Sequence, residues 1–106
     1  QNICSPRENG IIGKQKNMYV ICGDRHWQYV SVDPESGVRE YSCGPTTDAH
    51  AGGFKEENRS AMHKYLNVVG GFLRAEVDRV EGLPQIRFQH YNVDGVVNND
   101  DVRKPE

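Results

Sequence analysis

The sequence predicts a mainly β chain of the α+β class, built from antiparallel strands and hairpins with little helix. Three observations carry that reading. Twelve valines stand against three leucines, and a β-branched excess suits a pleated surface better than a helix. Leu73, Ala75 and Val77 alternate with Arg74, Glu76 and Asp78, and Ile86 and Phe88 alternate with Arg87 and Gln89; a period of two marks strands with one wet face. Turn residues gather between such runs, at Asp33-Pro34-Glu35-Ser36-Gly37, at Glu81-Gly82-Leu83-Pro84 and at Asp94-Gly95.

In chain order, residues 1–17 are polar and interrupted by Pro6, Gly10 and Gly13, which predicts a loop or the remnant of a preceding element. Met18 to Cys22 is apolar throughout and reads as a strand buried on both faces, a strand that needs layers on either side. Trp27 to Val32 is the next strand, and the turn at 33–37 returns the chain through Val38 to Cys43 as a hairpin. Gly44-Pro45 ends that strand. Asn58 to Leu66 places Ala61, Met62, Tyr65 and Leu66 on one side of a short helix. Phe72 to Asp78 and Gln85 to Tyr91 then form an antiparallel hairpin. Val96-Val97 pair briefly, and residues 98–106 are a polar tail, leaving 18–97 as the folded unit.

Leu, Ile, Val and Phe together number 23 of 106 residues, just above the roughly one-fifth below which chains tend to stay disordered. The chain is slightly short of core for its length. Thirteen Lys plus Arg against fifteen Asp plus Glu leave a net charge of −2, and without a basic block nucleic acid is not an expected partner. The longest apolar runs are about five residues, against roughly 20 for a bilayer span, so no membrane span is expected. The first residue is Gln1 and no leader precedes the body, so the natural start is expected to be missing or removed.

Three cysteines cannot all pair within one chain, and Cys4, Cys22 and Cys43 show no CxxC spacing. Free, mostly buried thiols are expected; a Cys22–Cys43 disulfide is the alternative if the two lie on neighbouring strands. There is no phosphate-binding glycine loop, no Gly-x-Ser-x-Gly elbow and no Cys/His nucleophile context.

The informative segment is Val20-Ile21-Cys22-Gly23-Asp24-Arg25-His26-Trp27. A strand ending in Gly-Asp-x-His places a carboxylate and an imidazole in the loop at its carboxyl end, where α/β sheets keep their sites. Hard oxygen and borderline nitrogen donors suit a divalent metal that polarises a phosphoryl oxygen or activates water. The plainer reading of Asp24 is a turn-capping residue. A second Asp-x-His stands at Asp48-Ala49-His50, and Asp24, His26, Asp48 and His50 would suffice for one metal if the loops met; otherwise Asp48 stabilises a turn through backbone amides. His63 is read as a solvated helix residue. His90 shares a strand phase with Ile86 and Phe88, which predicts a hydrogen-bonded core histidine.

Asn17 to Tyr29, followed by Ser42-Cys43-Gly44-Pro45, Asp48-Ala49-His50-Ala51-Gly52-Gly53, Gly71-Phe72-Leu73-Arg74 and the hairpin ending in His90-Tyr91-Asn92-Val93-Asp94-Gly95, resembles the C-terminal part of the alkaline phosphatase D-like metallophosphoesterases. The likeness covers about residues 15 to 97. It implies a calcineurin-like α/β/β/α sandwich with divalent metal ions (Ca, Fe, Zn or Mn) at the carboxyl ends of strands, hydrolysing phosphate monoesters or diesters. It nominates Asp24 and His26 as metal or phosphate contacts and His50 less directly, with Arg25 and Trp27 as neighbours that shape the loop. It also implies export to a secreted or periplasmic location.

The family's earlier motifs, an N-terminal Asp-x-His, a Gly-Asp and a Gly-Asn-His, are absent, and Asp48-Ala49-His50 lies too late in the chain to be the first of them. A two-metal site needs more ligands than these. The expectation is therefore a C-terminal portion of a phosphoester hydrolase, inactive alone, carrying an apolar edge that calls for the missing half or for self-association. The competing expectation is a non-catalytic β module that binds a protein or carbohydrate through exposed Trp27, Tyr29 and Tyr41.

Overall fold

The computed structural model describes residues 18–105; the loop predicted over residues 1–17 lies outside them, and Cys4 with it. The chain is mainly β, as predicted, and its strands form two sheets. β1 (Val20–Cys22), β2 (Gln28–Val32), β3 (Arg39–Cys43) and β4 (His63–Asn67) make a four-stranded sheet in the order β1-β3-β2-β4. β5 (Phe72–Val80), β6 (Leu83–Tyr91) and β7 (Val97–Arg103) make a three-stranded sheet in that order. All neighbours are antiparallel except β1 and β3, which run parallel with Cys22 opposite Ser42. Two short 3-10 turns, Asp48–His50 and Glu56–Asn58, lie in the connection between β3 and β4.

Both predicted hairpins form. In the first, the Asp33 carboxylate accepts from the Ser36 amide at 2.8 Å and the Ser36 hydroxyl at 2.6 Å, and Gly37 takes a φ of +74°. In the second, Glu81 (φ +53°) and Gly82 (φ +80°) are both left-handed, as a type I′ turn requires if its twist is to match the strands it joins. Val80 consequently faces Leu83 and the nine-pair ladder follows from there.

The sheets meet where Val30 and Tyr41 face Phe88, all three buried, with Tyr19, Tyr65, Leu73 and Ile86 packed around them. The Tyr41 and Phe88 rings stack at 3.9 Å and Tyr19 meets Phe88 edge-on at 5.4 Å. Polar ties cross the same junction, among them an Arg39–Asp101 ion pair at 3.0 Å. His90 Nε2 donates to the Ser42 carbonyl at 2.9 Å, Gln28 Nε2 donates to the Tyr91 carbonyl at 2.9 Å, and the Tyr41 hydroxyl donates to Asp101 at 2.6 Å. At Gly71 the chain passes between sheets so closely that a Cβ would stand 1.8 Å from the Tyr91 carbonyl oxygen; only glycine fits.

Three predicted elements are corrected. The Met18–Cys22 segment is not a doubly buried strand. Only Val20–Cys22 pairs, and among the described residues only with β3, and Met18 and Ile21 are 49% and 57% exposed. Five apolar residues fix no face by themselves, and here one neighbouring strand decides the outcome. The helix expected over 58–66 is instead strand β4, recruited by pairing with β2, whose Tyr29 lies opposite Leu66; tertiary pairing overrides a weak local period. The polar tail is largely strand β7. Its acidic residues are satisfied across the ladder and the sheet junction, by Arg87 bidentate on Asp100 and by Arg39 and Tyr41 on Asp101.

Candidate functional site

The Gly23–His26 turn follows directly from the carboxyl end of β1. Arg25 N–H donates to the Gly23 carbonyl at 2.8 Å, closing a three-residue turn around Asp24, which is held at φ +69°. A positive φ on a residue other than glycine is strained, and such strain gathers at functional sites. Asp24 and His26 are both exposed. β1 ends beside its parallel neighbour β3, so the turn occupies the sheet end that the sequence predicted for it.

The second Asp-x-His loop docks onto the first. Gly52 N–H donates to the His26 carbonyl at 3.0 Å, and Gly53 lies against the Trp27 ring. The loops therefore meet through backbone, while the side chains diverge in role. Asp48 Oδ1 accepts from the Gly70 amide at 2.8 Å, fixing this loop to the β4–β5 connection, and His50 is exposed. Among the described residues, no group of three or more His, Cys, Asp or Glu is placed to hold a metal ion.

Behind the turn, Trp27 is 8% exposed and packs edge-on against Phe54 at 5.4 Å. The Arg25 guanidinium lies over the Trp27 ring at 5.9 Å. On the same side of the sheet Phe54 contacts His63, and His63 contacts Tyr29. His63 is thus a half-buried strand residue, not a solvated helical one; burial depresses its basicity, and its Nδ1 accepts from Ser60 N–H at 3.2 Å.

Under β1 lies a buried polar line that sequence reasoning missed. The Tyr29 hydroxyl donates to the Glu40 carboxylate and touches the Cys22 thiol at 3.6 Å, with Tyr29 and Glu40 each 1% exposed. Burial, then the bond to Glu40, pushes Tyr29 far above the ordinary phenol range, and burial raises Cys22 as well. Cys22 is thereby a poor thiolate source. The signal was present in the sequence: Glu40 shares a strand phase with Val38 and Ser42, both buried.

Cys22 and Cys43 are free thiols, as expected, but both are half-buried where the expectation is of mostly buried thiols. The register explains why neighbouring strands do not link them. Cys22 is opposite Ser42, so Cys43 falls on the alternate face of β3. Trp27, Tyr29 and Tyr41, named as exposed binding aromatics, are all buried. They are core residues, because both faces of β2 and β3 are covered. His90, by contrast, is the predicted core histidine: it is fully buried, and since the Ser42 carbonyl can only accept, Nε2 carries the proton.

No helix among the described residues is long and apolar enough to cross a membrane. Compared with known proteins, the chain matches no family model, no curated sequence and no solved structure.

Proposed function

We propose that this chain is the C-terminal part of a metal-dependent phosphoester hydrolase of the alkaline phosphatase D-like type, with Asp24 and His26 forming one wall of its site. The single observation that carries the reading is the strained, exposed Gly23–His26 turn at the carboxyl end of β1, joined by hydrogen bond to the loop that bears His50. A carboxylate and an imidazole on one exposed turn fit part of a donor set for Ca, Fe, Zn or Mn. Such an ion, when bound, neutralises phosphoryl charge and activates water. Asp24 contributes the hard oxygen donor and His26 the nitrogen donor, His50 stands on the docked loop, and the remaining ligands belong to a preceding region with its own Asp-x-His, Gly-Asp and Gly-Asn-His motifs. The substrate is a phosphate monoester or diester.

A second observation supports a missing cover. Met18 and Ile21 are exposed at β1, which pairs only with β3 among the described residues, and exposed apolar edges invite further chain.

The test uses the purified 106-residue chain. Titration with Mn²⁺ followed by NMR should broaden the His26 and Asp24 resonances first, and H26A should remove that selectivity. Turnover of p-nitrophenyl phosphate by the chain alone should stay at background with Mn²⁺, Zn²⁺, Ca²⁺ or Fe. Broadening that ignores this turn would remove Asp24 and His26 from the site, and robust turnover would refute the partial-site reading.

A further inference from the structure

The side chain of Arg25, the residue between the two proposed metal contacts, makes no hydrogen bond or ion pair among the described residues. Arg39, Arg59, Arg74, Arg87 and Arg103 each lie within ion-pair distance of a carboxylate. Arg25 does not. Its guanidinium has no hydrogen-bonded acceptor among the described residues, its Nε is buried without a partner, and its one defined contact is the face of Trp27 at 5.9 Å. Arg25 thus shapes the loop through its backbone N–H on Gly23 and a cation–π contact with Trp27.

Trp27 adds an independent observation. It is 8% exposed, and its indole Nε1 is also buried with no acceptor. Arg25 Nε in the turn and Trp27 Nε1 just after it are therefore both buried without acceptors among the described residues, whereas nearly all buried donors in proteins are satisfied. An oxyanion would satisfy donors of this kind.

We infer that Arg25, held on the face of Trp27, is the phosphate-gripping residue of this turn, and that its ligand is the phosphate group of a monoester or inorganic phosphate itself. The cation–π contact with the Trp27 face restrains the guanidinium, and its terminal Nη1 and Nη2, unlike Nε, are not among the buried atoms without a partner. Those two nitrogens match two phosphate oxygens in a bidentate, charge-assisted pair. The chain as a whole carries a charge of −2, so attraction of an anion here is local to the turn and owes nothing to the overall field. The position suits the reaction proposed above, since Arg25 lies between Asp24 and His26 in sequence. The inference rests on that reading for its meaning, but phosphate capture by Arg25 is measurable without any metal.

Trp27 is the only tryptophan of the chain, so its fluorescence reports on the guanidinium that lies over its ring. In metal-free buffer at constant ionic strength, inorganic phosphate should change Trp27 emission saturably. R25A should weaken binding about tenfold or more, as expected for loss of a charge-assisted pair, and R25K should fall between the two because it keeps charge without the planar fork. Circular dichroism confirms that each variant folds; should R25A not fold, the R25K titration and the Arg25 Nε–H NMR signal of the unmodified chain carry the test. A wild-type response that does not saturate, or one that R25A or R25K leaves unchanged, overturns the inference. Phosphate binding through Arg25 with no selective Mn²⁺ broadening at Asp24 and His26 would keep this assignment and remove the metal reading; the reverse pattern would do the opposite.

Discussion

The two sheets divide between them what a β structure needs. β2 and β3 are short, five residues each, yet no residue in either is exposed. β5 and β6 are nine residues each and pair along their whole length, yet β5 has no buried residue and β6 has only Phe88, Gln89 and His90. The first sheet holds the core and the second holds the longest ladder. Ladder length and burial are thus separate quantities in this chain. The second sheet is committed to the first through the short stretch where Phe88 reaches Tyr41 and His90 reaches Ser42, and through Asp101 of β7, held by Tyr41 and Arg39.

The sharpest way to break that division is at Phe88, which is fully buried. Phe88→Ala removes the ring stacked on Tyr41 and leaves a cavity at the centre of the junction. Losses for such truncations are about 3–5 kcal/mol, and for a domain of this size each kcal/mol lowers Tm by roughly 4–8 °C. Chemical denaturation of the variant should show this loss, with hydrogen exchange accelerating in β5 and β6 more than in β2 and β3. A change below about 1 kcal/mol would mean that the junction is not where the sheets are held.

The same division explains what could be read from the sequence. Hairpin β5–β6 was legible because its faces differ, with Arg74, Glu76 and Asp78 alternating against Leu73, Ala75 and Val77. The turns at Asp33–Gly37 and Glu81-Gly82 were legible because positive φ and side-chain-to-backbone bonding demand particular residues. Strand β4 was not, since His63 to Asn67 carries no alternation of its own and becomes a strand only by joining β2. Strand β7 was hidden because charges that look like solvated tail are paired with Arg87 and Arg39 on other strands. At the candidate site, the Asp24-His26 turn was found by its motif. The lack of a side-chain acceptor for Arg25 among the described residues and the Tyr29–Glu40 bond were not, because both depend on which partners the fold brings near.

A smaller effect tests the polar side of the junction. Burial holds the His90 imidazole below its ordinary pKa of 6.5, outweighing the bond to Ser42 and the charge of Asp101, which pull the other way. The folded state therefore binds that proton less readily than the unfolded state. Stability contributed by neutral His90 is complete above pH 6.5 and declines as pH falls from there toward the folded-state pKa. Thermal melts from pH 7.5 to pH 5 should show this decline, and H90Q, which can still donate to the Ser42 carbonyl, should melt with a shallower pH slope. An equal slope in H90Q would assign the dependence to other groups.

The smallest expected effect comes from the part of the long ladder that lies beyond the core. Val77 pairs with Ile86 in the middle of β5, yet it is 74% exposed. If ladder position set its contribution, Val77→Ser would be costly, since β-branched residues are favoured in strands. If burial sets it, the change should stay within about 0.5 kcal/mol, as surface substitutions do. Denaturant midpoints for Val77→Ser and Phe88→Ala, measured together, place the two positions on one scale. A Val77→Ser loss approaching that of Phe88→Ala would show that the exposed reach of β5 is covered by something in solution, and that the second sheet has a second contact surface beyond its junction with β3.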